Sequence, residues 1–270
     1  MEYVTANGVD VPALGFGTAR MDTDEERRRA VETALDAGYR HVDTAQSYGS
    51  EGAVGDALAA SDVDREDVFV TTKLSGDNRA YDDVVESTGE SLQRLGLDAV
   101  DLLLIHSPND DVPHEETLDA MNELRDDGFV RHLGVSNFSV DQLREAMELS
   151  EAPILTNQVE YHVRERRDDL LSFCVDEDVM LTAYSPLDVG NLADDPMLAE
   201  IGDRVGKSAA QVAIRWLIQQ PMVSAIPMSS SPEHIRANFD VFDFQLTDDE
   251  MEELAEQGGT VDAIRSKLGW

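Results

Sequence analysis

Short apolar runs that resemble buried strands end repeatedly in polar side chains that could do chemistry. Asp43 ends the run "HVD", and Tyr48 follows five residues later. Lys73 and His106 stand at the ends of "VFVTTKL" and "VDLLLIH". Because the carboxyl ends of parallel strands meet at one rim in a closed sheet, we expect these four side chains to converge there.

An aspartate, a lysine, a tyrosine and a histidine at one rim form a set that can donate a proton. An unperturbed tyrosine titrates at about pH 10, which is too high for ready donation at neutral pH. The Lys73 ammonium would make the Tyr48 hydroxyl more acidic, and the Asp43 carboxylate would keep that ammonium charged and oriented. His106 could then hold a carbonyl oxygen against the hydroxyl.

Each of these residues also has a purely structural interpretation. Asp43 and Lys73 could be an ion pair in the barrel, Tyr48 a rim aromatic and His106 a core histidine. The pair His41 and Asp43 could suggest a metal, but the histidines at 114, 132, 162 and 234 lack ligand spacing beside a carboxylate. We therefore expect no metal site.

The elements that would position these residues alternate along the chain. Eight strand candidates lie near residues 16, 41, 68, 100, 132, 154, 179 and 223, separated by segments with helical spacing. Strands that are apolar on both faces and alternate with helices predict an α/β fold, a (β/α)8 TIM barrel. An N-terminal β-hairpin is predicted on the Asn7-Gly8 turn. A doubly wound sheet is the alternative, but no Gly-x-Gly-x-x-Gly motif follows the first strand.

The composition restricts the number of domains, the cellular environment and the classes of ligand. The 270 residues predict a single domain over residues 1–270, and a net charge of −35 makes nucleic acid an improbable ligand. Only three lysines accompany eighteen arginines, and the acids are spread along the chain rather than collected in a tail. This balance favours an extreme halophile, in which salt screens the self-repulsion. The lone Cys174 excludes an internal disulfide. We see no signal peptide or membrane segment, and we expect a cytoplasmic protein.

Several of these stretches, in this order, resemble the aldo-keto reductase family. The likeness rests on "LGFGT", "DAGYRHVDTAQSYGSE", "VFVTTKL", "VDLLLIHSP", "HLGVSNFS", "NQVEYH", "LTAYSPL" and "IPMSSSPEHIRANFDVFDF", and it covers nearly the whole chain. An ordered series of motifs is far more specific than any one of them. The resemblance implies a barrel enzyme that reduces an aldehyde or ketone, a small-molecule carbonyl substrate, with hydride from a reduced nicotinamide.

The resemblance also implies roles for individual residues. It makes Tyr48 the general acid, Lys73 and Asp43 the residues that tune it, and His106 the residue that orients the carbonyl. The residues that it implies for the nicotinamide are Ser136, Asn137 and Gln158 as partners of the carboxamide, Tyr184 as the stacking ring, and the neighbouring Ser185. A non-catalytic nicotinamide-binding or regulatory barrel is the competing function. The four filled catalytic positions argue against it.

The chain departs from the family where the dinucleotide is selected, so the cofactor is expected to be NADP(H) or NAD(H). The family usually recognises the 2′-phosphate of NADP with a lysine after strand eight and an arginine a few residues on. Here Met228 and His234 stand in those places, with Ser229 and Asn238 left as hydrogen-bond donors. We expect dual or NAD-leaning use, unless Arg236 takes over the missing charge.

A second departure concerns the substrate pocket. In many members an aromatic residue stands where this chain has Ala19, Ser75 and Ser107. We therefore expect a wider pocket that admits bulkier or more polar carbonyl compounds, with Trp270 as a possible replacement wall. The resemblance favours a monomer.

Overall fold

The N-terminal hairpin is present as predicted. The computed structural model describes residues 1–109 and 111–256. Strands β1 (Tyr3–Ala6) and β2 (Val9–Pro12) pair antiparallel. Asn7 and Gly8 between them both have positive φ, 48° and 76°. Two consecutive positive φ values are the requirement of a type I′ turn, and the Asn-Gly pair meets it at little steric cost.

Eight further strands form one parallel sheet that closes on itself. They are β3 (Phe16–Gly17), β4 (His41–Asp43), β5 (Phe69–Leu74), β6 (Val100–Ile105), β7 (Val130–Ser136), β8 (Ile154–Glu160), β9 (Met180–Tyr184) and β10 (Val223–Ala225), and they pair in chain order. Closure comes from the Gly15 amide, which donates to the Ala225 carbonyl at 2.8 Å, and from the Ala225 amide, which donates to the Ala13 carbonyl at 2.9 Å. The predicted eight-stranded barrel is confirmed.

Helices follow the strands and form the outer layer. They are α1 (Asp24–Ala37), α2 (Glu51–Ala60), α3 (Tyr81–Leu95), α4 (His114–Asp126), α5 (Val140–Leu149), α6 (Asp168–Asp176), α7 (Pro196–Val205), α8 (Ala209–Ile218), α9 (Pro232–Phe239) and α10 (Asp248–Glu256). Local signals set their ends. The Thr23 side chain caps α1, and Gly38, with φ 113°, terminates it.

The core lies on both sides of the sheet. All six residues of β6 are buried, which is what a strand covered by helices outside and by side chains inside requires. The parallel register sets Asp43 beside Thr71, and Lys73 beside Leu104. The polar ends of neighbouring strands therefore reach the same rim of the barrel.

The last described helix, α10, packs outside the barrel. The Thr247 hydroxyl caps it by accepting from the Glu250 amide at 3.3 Å. The Trp216 indole of α8 donates to the Met251 carbonyl at 3.2 Å and holds α10 against the outer layer. Within residues 1–109 and 111–256, no helix has both the length and the apolar character needed to cross a bilayer.

Candidate active site

A cavity of about 820 Å³ opens at the carboxyl ends of the strands. Tyr48 and His106 line it at the barrel mouth, and Met228 and Asn238 line the part next to α9. Its size falls within the range of ordinary cofactor and ligand pockets. Gly17 forms part of its wall, where a Cβ would come within 2.9 Å of the Ile226 carbonyl. Glycine at this position lets β3 and β10 approach closely beside the cavity.

Three of the four side chains proposed for catalysis form a chain of contacts from the barrel interior to this cavity. The Lys73 ammonium, fully buried, donates to Asp43 Oδ1 at 2.5 Å and to the Thr44 carbonyl at 3.0 Å. Its third donor points to the Tyr48 hydroxyl at 3.4 Å. The structure thus brings together Asp43, Lys73 and Tyr48, as the sequence predicts.

Lys73 stays protonated although its ammonium group is buried. Loss of solvent opposes the ammonium form, but the Asp43 carboxylate and the Tyr48 side chain outweigh that effect and raise the pKa of Lys73. A second bond supports the carboxylate, because Gln158 Nε2 donates to Asp43 Oδ2 at 2.7 Å. A fixed positive charge therefore lies next to the Tyr48 hydroxyl.

His106 lies against Tyr48, with the two rings edge to face at 5.6 Å between centroids. Burial, and then the Lys73 charge, lower the pKa of His106 to about 4, so the imidazole is neutral near pH 7. Ser47 Oγ lies 3.4 Å from Nδ1 and can donate to it. When Ser47 donates to Nδ1, the ring proton is on Nε2, and the neutral imidazole can donate a hydrogen bond from that atom.

The residues implied for the nicotinamide also meet at the cavity. Ser136, Asn137, Gln158, Tyr184 and Ser185 all line it. The Tyr184 hydroxyl donates to Asn137 Oδ1 at 2.9 Å, and Ser136 Oγ donates to the Gln158 carbonyl at 2.8 Å. Asn137 adopts a left-handed φ of 64° directly after β7, which turns its amide across the end of the strand. This wall of the cavity is a connected polar surface.

The region next to α9 contains four of the five residues expected to select the dinucleotide. Met228, Ser229, His234 and Asn238 line the cavity, but Arg236 does not. The Arg236 guanidinium instead donates to the Pro232 carbonyl at 3.2 Å, within its own helix. The described residues therefore provide no arginine or lysine on this wall of the cavity.

The residues predicted for the substrate pocket differ in whether they line the cavity. Ala19 lines the cavity, whereas Ser75 and Ser107 lie outside its lining. The Ser75 amide donates to Gln46 Oε1 at 2.7 Å, and the Ser107 hydroxyl donates to the His106 carbonyl at 2.7 Å. Trp270 lies outside the described residues. Of the three small residues, Ala19 is the one that lines the described cavity, and the prediction of a wider pocket stays a prediction.

Among the residues at or beside the cavity that the sequence did not single out, three carry polar groups close to the predicted site. Arg20 and Glu233 line the cavity, and Ser47 approaches His106 as described above. Each is adjacent in sequence to a residue already selected, namely Ala19, Tyr48 or His234, and that adjacency was the available signal. No group of three or more His, Cys, Asp or Glu residues is arranged to hold a metal ion in the described parts of the chain.

Comparison with known proteins agrees with this geometry. The model of the aldo/keto reductase family matches residues 13–258. An aldo-keto reductase of Mycobacterium avium is 43% identical over 245 residues, covering 90% of this chain and 85% of that protein. Glyoxal reductase of Bacillus subtilis is 38% identical over 248 residues, covering 92% and 89%. A crystal structure of a Bombyx mori aldo-keto reductase in complex with NADP is 34% identical, with a TM-score of 0.88 and coverage of 98% and 96%.

The chain belongs to the aldo/keto reductase family. It is an oxidoreductase that uses NADP(H) or NAD(H) to reduce aldehydes or ketones to alcohols. The cavity fits a dinucleotide, because it extends from Tyr48 to α9 and is lined by the hydrogen-bonding side chains of Asn137, Gln158 and Asn238.

Proposed function

We propose that Tyr48 is the proton donor in carbonyl reduction by this enzyme. The observation that carries the proposal is the position of its hydroxyl, on the cavity and 3.4 Å from the buried Lys73 ammonium. A positive charge at that distance stabilises the negative charge that develops on the phenol oxygen as the proton leaves. Asp43 acts one step back, by holding the ammonium charged and aimed.

His106 binds and orients the substrate carbonyl in this proposal. Its neutral imidazole can donate from Nε2 to the carbonyl oxygen that receives the Tyr48 proton. When bound, the reduced nicotinamide supplies the hydride to the carbonyl carbon. Ser136, Asn137 and Gln158 would hold its carboxamide, and Tyr184 would cover the ring.

Substitution of Tyr48 by Phe tests the assignment of the acid. The change removes the donated proton and keeps the ring, so we expect kcat to fall by about 10²–10⁴ while the Kd for the dinucleotide, measured by quenching of protein fluorescence, stays within about threefold. Tyr161→Phe is a matched control, because this buried tyrosine donates to Gln220 and does not line the cavity. Turnover of the Tyr48 variant near the wild-type value would overturn the proposal.

We also propose that the enzyme uses both dinucleotides or prefers NAD(H). The support is the α9 wall of the cavity, where Met228 and His234 replace the two cations that the family usually presents and Arg236 is turned away. A charged hydrogen bond contributes about 1.5–3 kcal/mol, so the loss of two could remove a preference for NADP of about a hundredfold or more. Glu233 adds a carboxylate to the same wall.

Met228→Lys tests this selectivity. We expect it to strengthen NADP⁺ binding by about tenfold and NAD⁺ binding by much less, measured as Kd by calorimetry. Ala59→Lys, at an exposed position of α2, is the control for a general effect of added charge on a strongly acidic protein. A wild-type enzyme that prefers NADPH by more than about a hundredfold, and loses this preference in Arg236→Ala, would contradict the proposal.

We infer that the chain is a single-domain, monomeric, cytoplasmic enzyme of a halophile. The net charge of −35 supports the halophilic setting, because screening by molar salt relieves self-repulsion that dilution restores. The midpoint of thermal unfolding should therefore rise from dilute to molar potassium chloride, and rise less in sucrose of matched osmolality, which does not screen charge. A midpoint indifferent to the salt would contradict the inference, and light scattering tests the monomer.

A further inference from the structure

The turn that carries Tyr48 is short and weakly held by its own backbone. It is a single 3₁₀ turn, Gln46–Tyr48, between β4 and α2. The Tyr48 amide donates to the Ala45 carbonyl at 3.1 Å. Because a 3₁₀ turn has poor hydrogen-bond geometry, the placement of Tyr48 against Lys73 depends on contacts with the rest of the fold.

Glu51 makes such a contact on the C-terminal side of the turn. It is the first residue of α2, three residues after Tyr48, and is 1% exposed. Its Oε1 accepts from the Thr72 hydroxyl at 2.6 Å, and its Oε2 accepts from Arg94 Nε at 2.8 Å. Thr72 directly precedes Lys73 in β5. Glu51 therefore ties the segment that carries the proton donor to the strand that carries its ammonium partner.

Gln46 makes the corresponding contacts on the N-terminal side of the turn. Its Oε1 accepts from the Ser75 amide at 2.7 Å, just beyond β5. Its Nε2 donates to Ser87 Oγ at 3.1 Å and to Ser91 Oγ at 3.2 Å on α3. The guanidinium of Arg94 donates to the same Ser91 Oγ at 3.1 Å. Both ends of the turn are thus connected to β5 and α3 through one polar network.

Stability alone is a poor explanation for this network. Removal of a carboxylate from water is costly, and well-packed apolar side chains of similar volume often stabilise a fold as well or better. A buried carboxylate with two directed partners does something that apolar packing does not, because it allows few relative positions of the elements it joins. The elements joined here are those that hold Tyr48 and Lys73.

We propose that Glu51 is a positioning residue for proton donation, acting together with Gln46 on the turn between them. The inference rests on the proposed function, in which Tyr48 is the donor. Glu51 does not line the cavity. Its effect is to hold the Tyr48 hydroxyl within reach of the Lys73 ammonium.

Glu51→Gln is the first test. The amide still accepts from Thr72 but presents an N–H₂ group to Arg94, so the link to α3 is lost. We expect kcat to fall by about 10–100-fold, the alkaline limb of the kcat profile to move to higher pH, and the dinucleotide Kd to stay within about threefold.

Asp101→Asn is the matched control for Glu51→Gln. Asp101 is also a buried carboxylate, 4% exposed, and it accepts from Arg65 at 2.7 Å and from the Val70 amide at 2.8 Å near the start of β6. This variant should lower the unfolding midpoint while keeping kcat and its pH profile. Equal losses of kcat in both variants, or an unchanged kcat and pH profile in Glu51→Gln, would overturn the positioning role.

Thr72 provides a second test that does not depend on the folding of Glu51→Gln. Thr72→Val removes the hydroxyl that bonds Glu51 and should reproduce the fall in kcat and the shift in the pH profile, whereas Thr72→Ser keeps the hydroxyl and should restore both. A Val variant with wild-type kcat would contradict the positioning role. If Tyr48→Phe remains active, the proposed donor itself is wrong. If Tyr48→Phe is inactive while Glu51 and Thr72 variants turn over normally, only the positioning role fails.

Discussion

The two ends of the barrel contain the same kinds of residues but use them differently. At the carboxyl end, Asp43, Lys73 and His106 meet beside the cavity. Near the amino end, His41 and Asp101 are buried beside Arg65, and none of the three lines that cavity. The comparison shows what separates a reactive group of polar residues from a structural one.

The two buried aspartates show the difference most directly. Asp101 accepts from Arg65 at 2.7 Å, from Arg131 at 2.8 Å and from the Val70 amide. Arg65 also donates to the carbonyls of Val68 and Ala99, and none of Asp101, Arg65 and Arg131 lines the cavity. The Asp43 carboxylate accepts from Lys73 and Gln158, and Lys73 extends a further contact to the Tyr48 hydroxyl on the cavity. The charge of the pair therefore acts on a group that a ligand can reach.

The pKa is lowered at two histidines that have different surroundings. Burial lowers the pKa of His41 to about 4, and burial together with Lys73 lowers that of His106 to about 4. His41 is 1% exposed, and its Nε2 lies 3.1 Å from Thr71 Oγ1. His106 faces the cavity instead. A shifted pKa thus reports burial at both ends, and only the adjoining cavity distinguishes the residue placed to bind a ligand.

The largest difference in kcat should appear when the ion pairs Lys73–Asp43 and Arg65–Asp101 are broken in separate variants. Lys73→Met removes the ammonium beside Tyr48, and we expect kcat to fall by about 10³. Arg65→Met removes one of two arginines from Asp101, and we expect it to lower stability by about 1–3 kcal/mol with kcat nearly unchanged. Steady-state kinetics and urea unfolding of both variants check the contrast. An Arg65 variant as inactive as the Lys73 variant would remove the distinction between the ends.

A smaller difference, in kcat/KM, should appear between substitutions of His106 and of His41. His106→Gln keeps a donor but displaces it, so kcat/KM should fall by about 10–100-fold through poorer orientation of the carbonyl. His41→Gln should leave kcat/KM within about threefold and act on stability instead. Kinetics with a simple aldehyde at saturating dinucleotide measure both. Equal losses in kcat/KM would contradict the assignment of His106.

The two histidines should also contribute differently to the pH dependence of stability. The unfolded chain binds protons on these histidines below about pH 6.5, whereas the folded chain does so only below about pH 4, so stability falls as the pH drops through this window. For the fully buried His41 the loss is about 3 kcal/mol, and it should be smaller for His106 because solvent in the cavity screens it. The free energy of unfolding, measured with urea between pH 4.5 and 7, should therefore depend less on pH in both variants. The reduction should be larger for His41→Gln than for His106→Gln. The reverse order would contradict the difference in burial.

The smallest effect concerns the width of the cavity at its mouth. Ala19→Trp adds a wall at a position that lines the cavity, so we expect kcat/KM for a bulky aromatic aldehyde to fall by about tenfold while that for a small aldehyde changes little. Ser107→Trp, outside the lining, should shift this ratio less. A ratio that responds more to the Ser107 variant than to the Ala19 variant would contradict this order of effects.

The sequence by itself determined the elements and much of the polar rim. The Asn7-Gly8 turn and the eight apolar strands are predicted from local signals, and the structure confirms both. The strand ends bring Asp43 and Lys73 together because parallel strands of a closed sheet share one carboxyl edge. The positions of the strands along the chain are therefore enough to predict that Asp43 and Lys73 lie close together.

Only the tertiary structure decided which neighbouring side chains face the cavity and which support the site from behind. Arg236 turns to its own helix, and Ser107 lies off the cavity, although both are close in sequence to residues that line it. Glu51 meets Thr72 and Arg94 across 21 and 43 residues of chain. Such contacts depend on the path of each loop and on how helices pack on the barrel, and a local pattern of residue types contains neither.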